Sequence, residues 1–119
     1  MKGKIFLIHW NQEEAAGYAE AIQARGWQVD TESEEGSRAG NLIKENLPDL
    51  VLIYLTRLPS HGRETAKWLR SLKKTRDLPI IFVGGKEEAI EKVRVQVPES
   101  EFITEVELGK ALKKFSKSH

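Results

Sequence analysis

Five short apolar runs alternate with amphipathic stretches along this chain, and that alternation restricts it to a mostly parallel sheet wrapped by helices. Ile5-Phe6-Leu7-Ile8 is apolar without a break, as a strand buried on both faces must be. Asn11 then suits a helix N-cap, with Glu13 and Glu14 in the first turn, where the helix dipole favours anions. That helix is expected to end at Gly26 and to turn Ala15, Tyr18, Ala19 and Ile22 inward. Trp27-Gln28-Val29-Asp30 alternates, which predicts a strand near the sheet edge with one wet face. Glu32 to Ser37 reads as loop. A second helix follows with Ala39, Leu42, Ile43 and Leu47 inward, and Pro48 closes it.

Leu50-Val51-Leu52-Ile53-Tyr54-Leu55 is the most hydrophobic segment and is expected at the centre of the sheet. Open α/β sheets carry their sites beyond the carboxyl ends of such strands. There stands Thr56-Arg57-Leu58-Pro59-Ser60-His61-Gly62-Arg63, read as a loop entering a helix with Thr65, Trp68, Leu69 and Leu72 inward. Pro79-Ile80-Ile81-Phe82-Val83 is the fourth strand, stopped by Gly84-Gly85. Glu87 to Val97 is helical, with Ala89, Ile90, Val93 and Val97 on one side. Glu101-Phe102-Ile103-Thr104 is a short fifth strand, and Leu108, Ala111, Leu112 and Phe115 mark a last helix, after which Lys117-Ser118-His119 is expected to fray. One domain accounts for all 119 residues, so any effect is expected to be exerted in trans.

Several classes of function are disfavoured by composition. A formal net charge of +1 sets up no strong field toward nucleic acid or an anionic membrane. Lys67, Arg70, Lys73, Lys74 and Arg76 cluster on and after the third helix, and Lys110, Lys113, Lys114 and Lys117 on the last, but no aromatic residues interleave with them, so nucleic acid is an unexpected partner. With no cysteine, disulfides and thiolate chemistry are excluded. The run from Leu50 to Leu55 is too short to span a bilayer, and Asn11-Gln12-Glu13-Glu14 interrupts the apolar start that would otherwise mimic a signal peptide. A cytoplasmic address and no membrane association are therefore expected.

The ordered series Pro48-Asp49-Leu50-Val51-Leu52-Ile53, Leu58-Pro59 and Arg76-Asp77-Leu78-Pro79-Ile80-Ile81 resembles a response-regulator receiver domain over almost the whole chain. The resemblance implies a flavodoxin-like, doubly wound α/β fold: a five-stranded parallel sheet in the order 2-1-3-4-5 with helices on both faces. It also implies a phosphoacceptor aspartate at the end of the third strand, an acidic pair that holds Mg²⁺ after the first, a hydroxyl residue and a lysine. Carboxylates are needed there as nucleophile and as hard oxygen ligands. The acidic pair aligns with His9 and Trp10, the phosphoacceptor with Tyr54, the hydroxyl residue with Gly84 and the lysine with Glu105, so none of the five is kept. Val106 replaces the proline that usually follows that lysine, while Phe102 falls where receivers carry an aromatic switch residue. Glu13 and Glu14 are expected to point along their helix rather than over the strand ends. The chain thus reads as a pseudo-receiver, with no catalytic residues, no cofactor and no resident metal.

Other residues at the same end of the sheet suggest binding. Arg57, Ser60, His61 and Arg63, with Gly84 and Gly85 alongside, have the guanidinium groups, hydroxyl and free N–H groups of an anion pocket. Pro59 and Gly62 are expected to stiffen and shape that loop. His9 and His61 lack ligand spacing for a metal and are read as hydrogen-bonded histidines. Trp10 is expected to be exposed near the strand ends as an anchor for a protein partner or for self-association. The leading expectation is a stand-alone interaction module that works without phosphorylation. The alternative is a sensor of a small anion or nucleotide, built on the Arg57 to Arg63 loop.

Overall fold

The computed structural model describes residues 2–97 and 99–118. The apolar runs form β1 (Lys4–Ile8), β2 (Gln28–Glu32), β3 (Leu50–Tyr54), β4 (Ile80–Val83) and β5 (Glu101–Ile103). Between and after them lie α1 (Gln12–Gln23), α2 (Gly36–Glu45), α3 (Pro59–Ser71), α4 (Glu87–Gln96) and α5 (Leu108–Ser118). All strand pairs are parallel, in the order β2-β1-β3-β4-β5, as the receiver resemblance implied. The last helix runs to Ser118, and His119 lies outside the described residues.

Strand alternation sorts the core into two layers. Ile5 and Leu7, paired in register with Leu50 and Leu52, join Tyr54 under α1 and α5, where Ala15, Ala19, Ile22, Leu112 and Phe115 close the layer. Phe6, Ile8, Val51, Ile53 and Leu55 face the opposite way and meet Ala39, Ile43, Ala66, Leu69 and Val93 from α2, α3 and α4. At the end of β3, consecutive residues therefore serve different layers: Tyr54 one, Leu55 the other.

Three local expectations are corrected. Leu42 is 41% exposed rather than inward, because α2 meets α3 through Ala39, Gly40 and Ile43, and Leu47, 44% exposed, lies beyond the end of α2 at Glu45. At Gly40 the Trp68 ring of α3 occupies the space that a β-carbon would need. Glu32 is not in a loop; it is the last residue of β2, and its buried carboxylate accepts the N–H groups of Glu34 and Glu35 at 3.0 Å each. The segment from Pro59 to Arg63 is helical, with Pro59 in the first turn of α3 and the backbone bend taken by Leu58 at a φ of 42°. Gly62 consequently makes no turn. Its missing side chain lets α3 approach β3, since a β-carbon there would lie 2.7 Å from Ile53 Cγ2.

Arg70, read from sequence as part of a basic cluster, is a structural tie. Its guanidinium donates to the carbonyls of Arg76 at 2.9 Å, Leu78 at 2.7 Å and Glu99 at 3.2 Å, joining α3 to the approaches of β4 and β5. Burial holds its pKa below the usual arginine value, against the pull of Glu99 and Asp77. Arg70→Ala is expected to lower stability by about 1–2 kcal/mol in urea unfolding, and Arg70→Lys to recover little, because a point charge cannot reach three carbonyls in a fixed fork.

Candidate functional site

The carboxyl ends of β1 and β3 carry an aromatic cluster. His9, the residue after β1, is 0% exposed, and its ring lies 4.9 Å from that of Tyr54 and 5.6 Å from that of Tyr18. Tyr18, one turn along α1 from Glu14, stacks on Tyr54 at 4.6 Å and 21°. Its hydroxyl donates to Glu105 at 2.9 Å, so the segment after β5 is tied to α1 across the sheet end. Tyr54 is fully buried, and its hydroxyl has no hydrogen-bond partner in the protein. Burial drives the Tyr54 pKa far above the ordinary tyrosine value, with smaller contributions from Tyr18 and Glu105, and it raises that of Tyr18 as well.

Glu14 closes the cluster. Asn11 caps α1 by accepting the Glu14 N–H at 2.9 Å, which fixes where the carboxylate starts. The side chain then reaches back over the strand ends, against the expectation that it points along the helix. One oxygen meets His9 Nε2 at 2.8 Å, and the other accepts from Arg57 Nη2 at 2.6 Å, with Arg57 Nε 3.4 Å from the first. This forked pair, and next His9, hold the Glu14 carboxyl below the usual range. Glu14 and Tyr18 share the inner face of α1 at a spacing of four, and that spacing is legible in sequence; their partners are not, because Arg57 is 43 residues from Glu14 and Glu105 is 87 from Tyr18.

The Mg²⁺ that receiver chemistry implies does not fit these residues. An imidazole and an indole, His9 and Trp10, follow β1 where the resemblance implies an acidic pair, and the nearby carboxylate Glu14 is committed to Arg57 and His9. Among the described residues no group of three His, Cys, Asp or Glu side chains is placed to hold a metal ion.

The array predicted from Arg57 to Arg63 is divided. Arg57 turns to Glu14 on the α1 side. Ser60 and Arg63, three apart on α3, share one face and line a cleft between α3 and α4 together with Gly85. His61, rotated by about 100° from Ser60, points the other way, where its ring meets Trp10 edge-on at 5.6 Å. It lies far enough round the helix to line a separate groove with Glu34, Glu35 and Trp68, and His9 and His61 are not brought together. Trp10 is 8% exposed, which overturns the expected exposed anchor: the ring fills the layer beneath α2 and α3 beside Gly36 and Gly62. Gly84 and Gly85, at φ of 70° and 96°, carry β4 into α4 through a bend that only glycine makes without strain. Phe102 stacks on Phe82 at 5.4 Å with the Arg94 guanidinium 5.0 Å from its centroid, a packed rather than a free ring.

This sheet, with five helices arranged about it, is the receiver architecture, and the comparisons agree with it. No family model matches the chain. The polar-differentiation response regulator DivK of Brucella ovis is 27% identical over 95 residues, which make up 76% of each chain. Among solved structures, the receiver domain of a sensor histidine kinase from Pseudomonas aeruginosa, which has a magnesium ion coordinated in its active-site cleft, superposes with a TM-score of 0.81 at 18% identity over 97% of this chain and 98% of its own. The chemotaxis protein CheY4 of Vibrio cholerae gives 0.78 at 16% identity over 94% of this chain and 97% of its own. The homologues of this chain are thus response-regulator receiver domains, and its fold is theirs.

Proposed function

We propose that the chain is a pseudo-receiver, a signalling module that engages a protein partner without phosphorylation and without turning over a substrate. One observation carries this reading: the aromatic rings of His9, Tyr18 and Tyr54 fill the end of the sheet where the receiver resemblance puts the phosphoacceptor and its metal. A buried phenol held in its protonated form is a poor nucleophile, and Tyr54 has no base within hydrogen-bonding distance. The Glu14–Arg57 and Tyr18–Glu105 contacts tie the loops at this end into a single arrangement, so a partner meets a preset surface rather than one switched by a ligand. Among the described residues no helix is long and apolar enough to cross a membrane.

Acetyl phosphate, or beryllofluoride, added with Mg²⁺ is expected to leave both the intact mass and the amide NMR spectrum unchanged. Partner capture from native extract is expected to be equal with and without these reagents. A phosphoryl mass increase, or Mg²⁺-dependent shifts centred on Tyr54, would overturn the reading.

A further inference from the structure

We infer that the cleft between α3 and α4 is a binding site for a small organic dianion, one with a phosphate or dicarboxylate head and a compact apolar body. This cleft lies on the far side of Leu55 from the aromatic cluster and is independent of the pseudo-receiver reading. It has a volume of about 580 Å³, within the range of small-molecule sites. Leu55, Pro59 and Ala89 supply apolar wall, while Arg63, Lys86 and Lys92 supply cations.

Charge bookkeeping selects the ligand. Lys92 is neutralised by Glu88 at 3.4 Å on the same helix. Arg63 and Lys86 remain. Arg63 is only 17% exposed, and its Nε is buried without a hydrogen-bond acceptor. The nearest carboxylate oxygen, on Glu64, is 3.9 Å away, and the same oxygen is shared with Lys67 at 3.5 Å. No ion pair to Lys86 occurs among the described residues. A guanidinium withdrawn from water with an unmet N–H is costly unless an anion completes it. The Ser60 hydroxyl lies on the same wall, and α4 starts at the cleft with no side chain capping its first N–H groups. Gly85 packs its backbone on Leu55 in the cleft wall so closely that a β-carbon would lie 2.7 Å from Leu55 Cβ.

Phenyl phosphate, isophthalate and inorganic phosphate, titrated into the intact chain without Mg²⁺ and followed by amide NMR, test this assignment and separate the two head groups. Phenyl phosphate or isophthalate is expected to shift the amides of Ser60, Arg63, Gly85, Glu87 and Ala89, and inorganic phosphate to bind more weakly for want of the apolar body. Arg63→Gln and Lys86→Gln should each weaken binding about tenfold, and Lys67→Gln on the outer face of α3 should not. Lys86 is exposed, so its replacement reports on binding even if the Arg63 variant folds poorly. Absence of shifts at millimolar ligand, shifts that survive both cleft substitutions, or equal binding of inorganic phosphate would overturn the assignment. Shifts centred on Tyr54 and His9 instead would overturn it in favour of a site at the sheet end, an outcome distinct from the Mg²⁺-dependent test above.

Discussion

Tyr54→Asp is expected to yield a protein that takes no phosphoryl group from acetyl phosphate and is less stable than the parent by about 3–5 kcal/mol. Placing at this position the residue type that the receiver resemblance implies does not supply the surroundings it needs. The substitution removes a fully buried ring that stacks on Tyr18 at 4.6 Å and touches His9 at 4.9 Å, leaving a cavity between β3 and α1. In that cavity it places a carboxylate within the field of Glu105, which carries the same sign. The loss is a large fraction of the roughly 5–15 kcal/mol that holds a typical domain together. Tyr54→Phe keeps the ring and deletes a hydroxyl that bonds to no protein group, so its stability is expected to match or exceed the parent's. Urea midpoints of the two variants, with intact mass after acetyl phosphate, check both halves. A Tyr54→Asp variant that is stable and phosphorylated would show that the aromatic cluster is a late veneer over a working site.

A pair of glycine substitutions is expected to change stability in opposite directions. Gly17 lies on the exposed face of α1 with nothing near a prospective β-carbon, so Gly17→Ala should stabilise by about 0.5–1 kcal/mol through backbone entropy alone. Gly40→Ala carries the same entropic gain on α2, yet should destabilise by about 1–3 kcal/mol, because the new methyl collides with the Trp68 ring and must push α2 and α3 apart. Thermal unfolding with tryptophan fluorescence reads both effects, and only Gly40→Ala should move the emission of Trp68. If both substitutions stabilise, Trp68 can swing into solvent at little cost, and the α2–α3 contact is not the close fit described.

The strand and helix pattern is set within a few residues of chain, and it was legible on that account. Unbroken apolar runs such as Ile5 to Ile8 can be buried only in a two-faced sheet, and the Asn11 cap with Glu14 three residues on needs no distant partner. The departure from the acidic pair, phosphoacceptor, hydroxyl and lysine that the receiver resemblance implies is read just as locally, from which residue stands at His9, Trp10, Tyr54, Gly84 and Glu105. Assembly of the sheet end is a different problem. Whether Trp10 is an exposed anchor or core depended on how closely α3 rides on β3, which Gly62 decides through a contact with Ile53. Read as a loop, Arg57 to Arg63 makes a single recognition array because adjacent residues stay together in a loop, whereas a helix starting at Pro59 sends Ser60 and His61 to different sides. Lys86 and Lys92 entered the cleft unforeseen, since α4 meets α3 only after the β3–β4 pairing has set their distance. Residue type and local period determined the fold and which residue types stand at the strand ends; which side chains share a site was decided by the sheet, whose parallel pairings join segments tens of residues apart, where no local spacing can report them.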